Sequence, residues 1–223
     1  MNRLRTLHWL SRSLLYPVLP LLPLLPPLPI FASDGASITY RKVFKQSVPE
    51  FIEIRIGGSG KSTYDIRRLD EEPQPLEFEV GPELRERIFG LVAQLNHFRD
   101  LDLDVRRKIA NLGQKTFRYE RDGQAHEVTF NYTLNPAANQ LLQIFEGLGR
   151  QQEHIETLAR RMRYDRLGVN EALLRLEADL NRKFVPEPER LLPVLEQIAE
   201  DSRVIEIARH RARALADRIR NSS

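Results

Sequence analysis

Residues 52–66 read Ile-Glu-Ile-Arg-Ile-Gly-Gly-Ser-Gly-Lys-Ser-Thr-Tyr-Asp-Ile, which is two alternating stretches joined by a glycine-rich turn. Apolar residues at every second position are typical of a strand with one buried face, and glycine and serine favour a tight turn. The same alternation occurs before this segment, at 38–40, and after it, at 76–80. The pattern therefore predicts an antiparallel meander.

Residues 82–132 predict one helix and a second hairpin. Pro82 and Glu83 are favoured in the first turn of a helix, and an apolar face follows at helical spacing. That face contains Leu84, Ile88, Leu91, Leu95 and Phe98. Asp122-Gly123 is a strong hairpin signal between two further alternating stretches. We therefore interpret residues 33–135 as an α+β domain.

From Asn135-Pro136 onward the pattern is helical, which predicts a helical domain over residues 136–223. Apolar side chains recur every seven residues along its first helix, which places them in one seam. They are Leu141, Leu148, Ile155 and Met162. Either later helices of the same chain cover this seam, or it contacts another protein or a second copy of the chain.

The predicted fold class is α+β: a small antiparallel sheet with one or two helices, followed by an all-helical C-terminal half. Within that half, Gly168 is expected to end the first helix, and Pro186 and Pro188 interrupt the chain after the second. Asp201 or Ser202 is expected to cap the last helix, because short polar side chains accept hydrogen bonds from the first free N–H groups.

Residues 1–32 predict a secretory signal peptide. Arg3, Arg5 and Arg12 precede an apolar run over 14–31, and small residues from Ala32 onward permit cleavage. Six prolines within the run disfavour a stable transmembrane helix. An uncleaved anchor and a proline-rich tail remain alternatives. We expect export to the periplasm or the medium, with no membrane contact after the signal is removed.

The charge is balanced once the predicted signal is removed. The sequence has 34 Lys and Arg against 31 Asp and Glu, and removing the three signal arginines leaves 31 of each. Nucleic-acid binding depends on an excess of positive charge, so we expect no nucleic-acid partner. The chain has no cysteine, which excludes disulfides, thiolate metal sites and a cysteine nucleophile.

Residues 57–63 resemble the end of a phosphate-binding loop. A nucleotide site would require a glycine at the position of Arg55, and a helix where residues 63–68 predict a strand. We interpret residues 57–63 as a hairpin turn and expect no cofactor.

Metal sites are also disfavoured. Asp100, Asp102 and Asp104 resemble the start of a calcium loop, but Val105 and Asn111 stand where glycine and glutamate are required. The histidines after residue 32 lack the four-residue spacing of a helical zinc site. We expect a solvated loop and no metal, and we find no catalytic constellation.

Arginines form two clusters in the helical half, at Arg160, Arg161 and Arg163 and between 203 and 220. They fit either an ion-paired surface near helix ends or contacts with an acidic partner. Together with the long helical faces, they favour a non-enzymatic periplasmic or secreted protein-binding module. The alternative is a cell-envelope hydrolase or transferase that uses carboxylates as acid and base, for which a cleft with perturbed carboxyl groups would be expected.

Two resemblances accompany these patterns. Residues 187–220, with Leu191, Leu195 and Val204 among the apolar positions, resemble a single HEAT-type helical hairpin, which implies an αα-hairpin. The chain after the signal, including Tyr40-Arg-Lys-Val-Phe44 and Arg163-Tyr-Asp-Arg-Leu-Gly-Val-Asn170, is similar to exported proteins of unassigned function from Acidobacteria-like bacteria. That similarity implies export and assigns no catalytic or binding residue.

Overall fold

A computed structural model describes residues 35–45 and 47–222. The predicted signal peptide, residues 1–32, lies outside the described residues. The described residues belong to one compact unit. Within them, no helix combines the length and the apolar character needed to cross a membrane.

Six strands form one antiparallel sheet in the described chain. They are β1 (Ala36–Val43), β2 (Phe51–Gly57), β3 (Lys61–Arg67), β4 (Leu76–Glu79), β5 (Gln114–Arg121) and β6 (Gln124–Phe130). Their order across the sheet is β4-β3-β2-β1-β5-β6, so the predicted meander and the predicted second hairpin join beside β1. The short strand β4 is therefore one edge of the sheet.

Five α-helices accompany the sheet in the described residues. They are α1 (Pro82–Gln94), α2 (Pro136–Tyr164), α3 (Val169–Asn181), α4 (Leu192–Glu200) and α5 (Glu206–Arg220). The start of α2 has a clear local cause, because the Asn135 side chain accepts the N–H groups of Ala137 and Ala138 at 3.0 and 3.1 Å. A sheet followed by a helical C-terminal half confirms the predicted α+β class.

One face of the sheet is buried beneath α1 and the first half of α2. The inward side chains alternate along the strands as their sequence predicts, and include Ile38, Tyr40, Ile54, Ile56, Phe117, Tyr119, Val128 and Phe130. Leu141, Phe145 and Leu148 of α2 belong to the same hydrophobic cluster. Each such side chain contributes about 1.5–3 kcal/mol when fully buried, so this packing fixes α2 against the sheet.

The second half of α2 lies in a second hydrophobic cluster. Leu158 and Met162 pack there with buried side chains of α3, α4 and α5. The helix α2 therefore belongs to both clusters, and the predicted boundary at residue 136 marks the start of a shared helix. A buried polar link also joins the halves: Gln151 Oε1 accepts the Glu187 N–H at 3.0 Å, and Glu187 Oε1 accepts the Gly81 N–H at 2.7 Å.

Two predicted helix ends differ from the structure. The helix α2 ends at Tyr164, before Gly168, and the Asp165 side chain then accepts the Gly168 N–H. The helix α5 begins at Glu206 without a side-chain cap, so neither Asp201 nor Ser202 caps it. The physical reason is that the N-cap position is Ile205, which is three and four residues beyond Ser202 and Asp201. Asp201 instead accepts hydrogen bonds from the Arg203 N–H and guanidinium in the turn after α4.

Candidate binding groove

The predicted seam on α2 is covered within the chain. Leu141 and Leu148 are fully buried in the first cluster, Met162 is buried in the second, and Ile155 packs partly buried against the second. The sheet and α1 cover one half of the seam, and α3 to α5 cover the other. Of the two alternatives, cover by the same chain is the arrangement found.

Of the three arginines predicted to contact an acidic partner, only Arg160 lines a groove. Arg161 forms ion pairs with Asp165 at 2.9 Å and with Glu171 at 3.8 Å. Arg163 is exposed, whereas Arg160 lines a groove. A helix turns by about 100° per residue, so Arg161 lies on a different side of α2 from Arg160, whereas Arg163 lies one turn beyond Arg160 and does not line the groove. Arg160 alone belongs to the candidate site described below.

The arginines between 203 and 220 are mostly engaged within the chain. Their partners are Asp201 for Arg203, Asn170 and Glu177 for Arg211, the Ala199 carbonyl for Arg213, Asn181 for Arg218, and Glu196 and Asp217 for Arg220. These contacts join α5 to α3 and α4. Of the two interpretations of this cluster, an ion-paired surface or contacts with an acidic partner, these contacts favour the ion-paired surface.

Residues 57–63 form the turn between β2 and β3, as predicted. The Gly60 N–H donates to the Gly57 carbonyl at 2.9 Å, and Gly60 has a φ of 97°, which favours glycine. Lys61 begins β3 opposite Glu79. A strand thus follows the turn, and the strand–loop–helix geometry of a phosphate-binding loop does not form here.

The aspartates of the predicted solvated loop bind backbone. Asp104 Oδ1 accepts the N–H groups of Asn131 and Tyr132 at 3.3 and 3.2 Å, which fixes residues 100–105 beside the end of β6. Leu103 is buried, so one side of this loop packs inward. In residues 35–45 and 47–222, no three acidic or histidine side chains are grouped as a metal site.

A groove of about 1100 Å³ lies between the helices α2 and α3 and the end of strand β3. The β3 side consists of Tyr64 to Arg67 and residues 71, 72, 74 and 76 from the connection to β4 and its first residue. The α2 side consists of Arg150, Glu153, His154, Glu156, Thr157 and Arg160. From α3 come Ala172, Arg175, Ala178 and Asp179, followed by Arg182. We call this feature the groove.

Two hydrogen bonds between elements hold the walls of the groove together. The Tyr64 hydroxyl donates to Glu156 at 2.8 Å and joins β3 to α2. Burial, together with this bond to Glu156, raises the pKa of Tyr64 well above its ordinary value. His154 Nε2 lies 2.9 Å from Asp179 Oδ2 and joins α2 to α3. The groove is therefore formed by three elements, β3, α2 and α3, that contact each other directly.

Some charged side chains of the groove have a partner within the described chain, whereas others do not. Asp65 pairs with Arg67 at 2.9 Å, Glu71 accepts the Arg68 N–H at 2.9 Å, and Arg175 pairs with Glu171. Arg150, Arg160 and Arg182 are in no ion pair among the described residues, although Arg150 stacks over the Phe184 ring at 4.5 Å. Arg160 and Arg182 therefore present guanidinium groups to whatever enters the groove, and Arg150 adds a third that lies over the Phe184 ring and near Glu153.

Glu153 is the acidic group on α2 that faces these arginines without a hydrogen-bond partner in the described chain. It is exposed to water, yet the surrounding groove walls desolvate it and raise the pKa of its carboxyl group. The nearby charges of His154 and Arg150 oppose this rise, and Asp179 adds to it. The groove thus places a carboxyl of raised pKa beside a histidine–aspartate pair, rather than the pair of carboxylates that an acid–base hydrolase was expected to have.

Most groove residues were not predicted from the sequence. Arg160 was named, but Tyr64, Glu153, His154 and Asp179 were not singled out as site residues. One local signal was present: Arg150, Glu153, His154, Thr157 and Arg160 recur at spacings of three and four and form a polar stripe on α2. The opposite wall comes from residues about 90 positions earlier, and no local pattern pairs the two.

Comparisons with known proteins assign no role to these residues. Neither a family model nor a curated protein sequence matches the chain. The function is therefore derived from the geometry and charge of the groove.

Proposed function

We propose that the protein is an exported binding protein that holds a segment of another macromolecule in the groove. The observation that supports this most directly is the set of unpaired guanidinium groups, from Arg150, Arg160 and Arg182, within a groove of about 1100 Å³. Unpaired arginines are common contacts for carboxylate and phosphate groups, because their fork of N–H donors matches such groups. The complementary ligand carries negative charge.

The length of the groove favours a segment of a chain over a compact small molecule. Its α2 wall runs from Arg150 to Arg160, which corresponds to about 15 Å of helix at 1.5 Å per residue. An extended polypeptide advances about 3.3 Å per residue, so four or five residues would fit along this wall. A site of this kind needs no catalytic group.

The test is site-specific photo-cross-linking in the native host. The full chain is made with p-benzoylphenylalanine at Thr157, which lines the groove, and separately at Glu127, which is exposed on β6 outside the groove. We expect an adduct of defined mass at Thr157 and none at Glu127. Equal adducts at both positions, or none at Thr157, would contradict a binding role for the groove.

A hydrolase is the second candidate, and two observations favour it. His154 is held by Asp179 at 2.9 Å, as a general base is oriented by a carboxylate, and Glu153 has the raised pKa of a general acid. In that case His154→Asn would trap an intact substrate, and the adduct at Thr157 would increase and contain a larger partner. A binding protein would give the same partner, of unchanged mass, in the variant and the parent.

A further inference from the structure

Strand β3 has an unpaired edge inside the groove. The Val80 N–H donates to the Gly60 carbonyl at 3.0 Å, and the ladder continues with Ser62 opposite Phe78 and Tyr64 opposite Leu76. Antiparallel strands alternate the side to which their N–H and C=O groups point, so Ile66 is the next residue whose backbone faces the β4 side. The β3–β4 ladder ends at Tyr64, and Ile66 has no strand opposite it there.

Two prolines explain why β4 ends where it does. Continuing the register beyond Leu76 would place Pro75 opposite Asp65 and Gln74 opposite Ile66. Proline has no N–H to donate and restricts the residue before it, and Pro73 stands one position further on. The connection to β4 instead forms a turn in which Glu71 accepts the Arg68 N–H at 2.9 Å, and its residues 71, 72 and 74 line the groove together with Ile66. The space beside Ile66 is therefore left as part of the groove.

The direction of the side chains links this edge to the arginines. Residues directly opposite each other in an antiparallel pair place their side chains on the same face of the sheet. Ile66 packs against the core on the face that α2 covers, and its neighbour Tyr64 on that face contacts Glu156 of α2. A residue paired with Ile66 would project toward α2, where Arg150 and Arg160 have no ion pair with any residue that the structure describes.

We infer that the groove binds an extended polypeptide segment of a partner protein, which adds to β3 beside Ile66 and directs an acidic side chain toward the α2 arginines. This inference rests on the proposed function and names its ligand class. Main-chain hydrogen bonds to the edge provide affinity, and the pocket for one side chain provides selectivity. The acidic side chain follows from charge complementarity with Arg150, Arg160 and Arg182.

The test starts from random linear peptides displayed on phage and selected on the full chain. We expect selected peptides with Asp or Glu within an alternating, strand-forming stretch. In one such peptide, N-methylation of the residue that pairs with Ile66 should weaken binding about tenfold, the size of one lost hydrogen bond, while N-methylation of its neighbours should have little effect. Hydrogen exchange at the Ile66 amide should slow when the peptide binds.

Matched variants separate backbone from side-chain effects. Ile66→Val keeps the N–H, so any loss of binding that it causes measures the side chain alone. Ile66→Pro also removes the N–H and should weaken binding further than Ile66→Val. If Ile66→Pro does not fold, strand addition is tested by the hydrogen-exchange rate of the Ile66 amide in the parent protein, with and without the peptide. An unchanged exchange rate, or tolerance of N-methylation at every position, would overturn strand addition.

The outcome also distinguishes this inference from the proposed function. An adduct at Thr157 that is a glycan or a lipid, or that is a second copy of this chain or another part of the same chain, would overturn the polypeptide partner. A glycan or lipid adduct would still support binding in the groove. Loss of every adduct at Thr157 would contradict both.

Discussion

At the scale of single residues, ion pairs and hydrogen bonds within the chain determine which charged side chains of the groove can contact a ligand. Most acidic groups of the groove already have partners, such as Glu156 with the Tyr64 hydroxyl and Asp179 with His154. Arg160 and Arg182, by contrast, form no ion pair within the described residues. In the described chain, no ion pair of these two arginines is therefore broken when a ligand carboxylate contacts them, and each exposed ion pair that forms contributes about 0–1 kcal/mol.

The first residue-scale prediction concerns Ile155, which packs partly buried against the second hydrophobic cluster. Ile155→Asp should lower the free energy of unfolding by about 2–4 kcal/mol, because it places an unpaired charge against apolar groups. Urea unfolding measures the change, with Gln143→Asp on an exposed position of α2 as a control that stays within about 0.5 kcal/mol. A stable variant that loses association in light scattering would instead identify the seam as an interface.

The second residue-scale prediction concerns the Asp201 carboxyl group. Two hydrogen bonds from the Arg203 guanidinium, at 2.9 and 2.8 Å, and one from its N–H lower the pKa of Asp201 to about 2. Because the folded-state pKa is lowered, the stabilising contribution is present above the unfolded carboxyl pKa of about 3.9 and is lost as the pH falls toward 2.

Arg203→Ala should raise the pKa of Asp201 toward its ordinary value, as measured by carboxyl carbon NMR. Arg218→Ala is the matched control, because Arg218 contacts Asn181 rather than a carboxylate, and it should leave the Asp201 titration in place. An unchanged Asp201 pKa in Arg203→Ala would show that these hydrogen bonds are not formed in solution.

At the scale of elements, α2 is the member on which both clusters depend. Its first half covers the sheet, its second half packs with α3 to α5, and its polar stripe forms one wall of the groove. The segment 184–186 crosses α2 at Gly147, where its atoms lie very close to the helix backbone. A Cβ on Gly147 would lie 2.8 Å from Pro186 Cγ and 2.9 Å from the Phe184 carbonyl oxygen.

Gly147→Ala should therefore lower the free energy of unfolding by about 1–3 kcal/mol, because the extra carbon overpacks this contact. Gly90→Ala on α1 is the control without a steric clash, since a Cβ there meets nothing within 4 Å. That variant should gain about 0.5–1 kcal/mol from the higher helix propensity of alanine. Thermal and urea unfolding compare the two, and a neutral or stabilising Gly147→Ala would contradict the close approach of this segment to α2.

The elements themselves were mostly predictable, because their signals are local. The alternation around Ile54, the Asp122-Gly123 turn and the Asn135-Pro136 start of α2 each act over a few residues. The cap at Asp201 was wrong because α5 begins only at Glu206, with Ile205 at the N-cap position, after a turn in which Asp201 binds Arg203. The seam was found as a pattern, but whether the chain itself covered it depended on how α3 to α5 pack, which spacing within α2 does not encode.

At the scale of the whole molecule, the groove is a consequence of long-range packing. Its walls come from residues 64–76 and 150–182, and they face each other because α2 lies across the sheet while α3 packs beside α2. Tyr64 and Glu156 are 92 positions apart in sequence and 2.8 Å apart in space. The sequence predicts each wall separately and contains no local signal that joins them. The site could therefore be located only after the fold was known.

The central claim is that the groove holds its ligand through unpaired arginines. The most direct measurement is the yield of the Thr157 photo-adduct when Arg160 and Arg182 are both replaced by Glu, compared with Arg107→Glu and Arg163→Glu together, which change the net charge equally at exposed positions outside the groove.

We predict a fall of about tenfold in the groove variant, the size of two lost exposed ion pairs of about 0.7 kcal/mol each, and no significant change in the control. An equal adduct yield in the two double variants would contradict the claim.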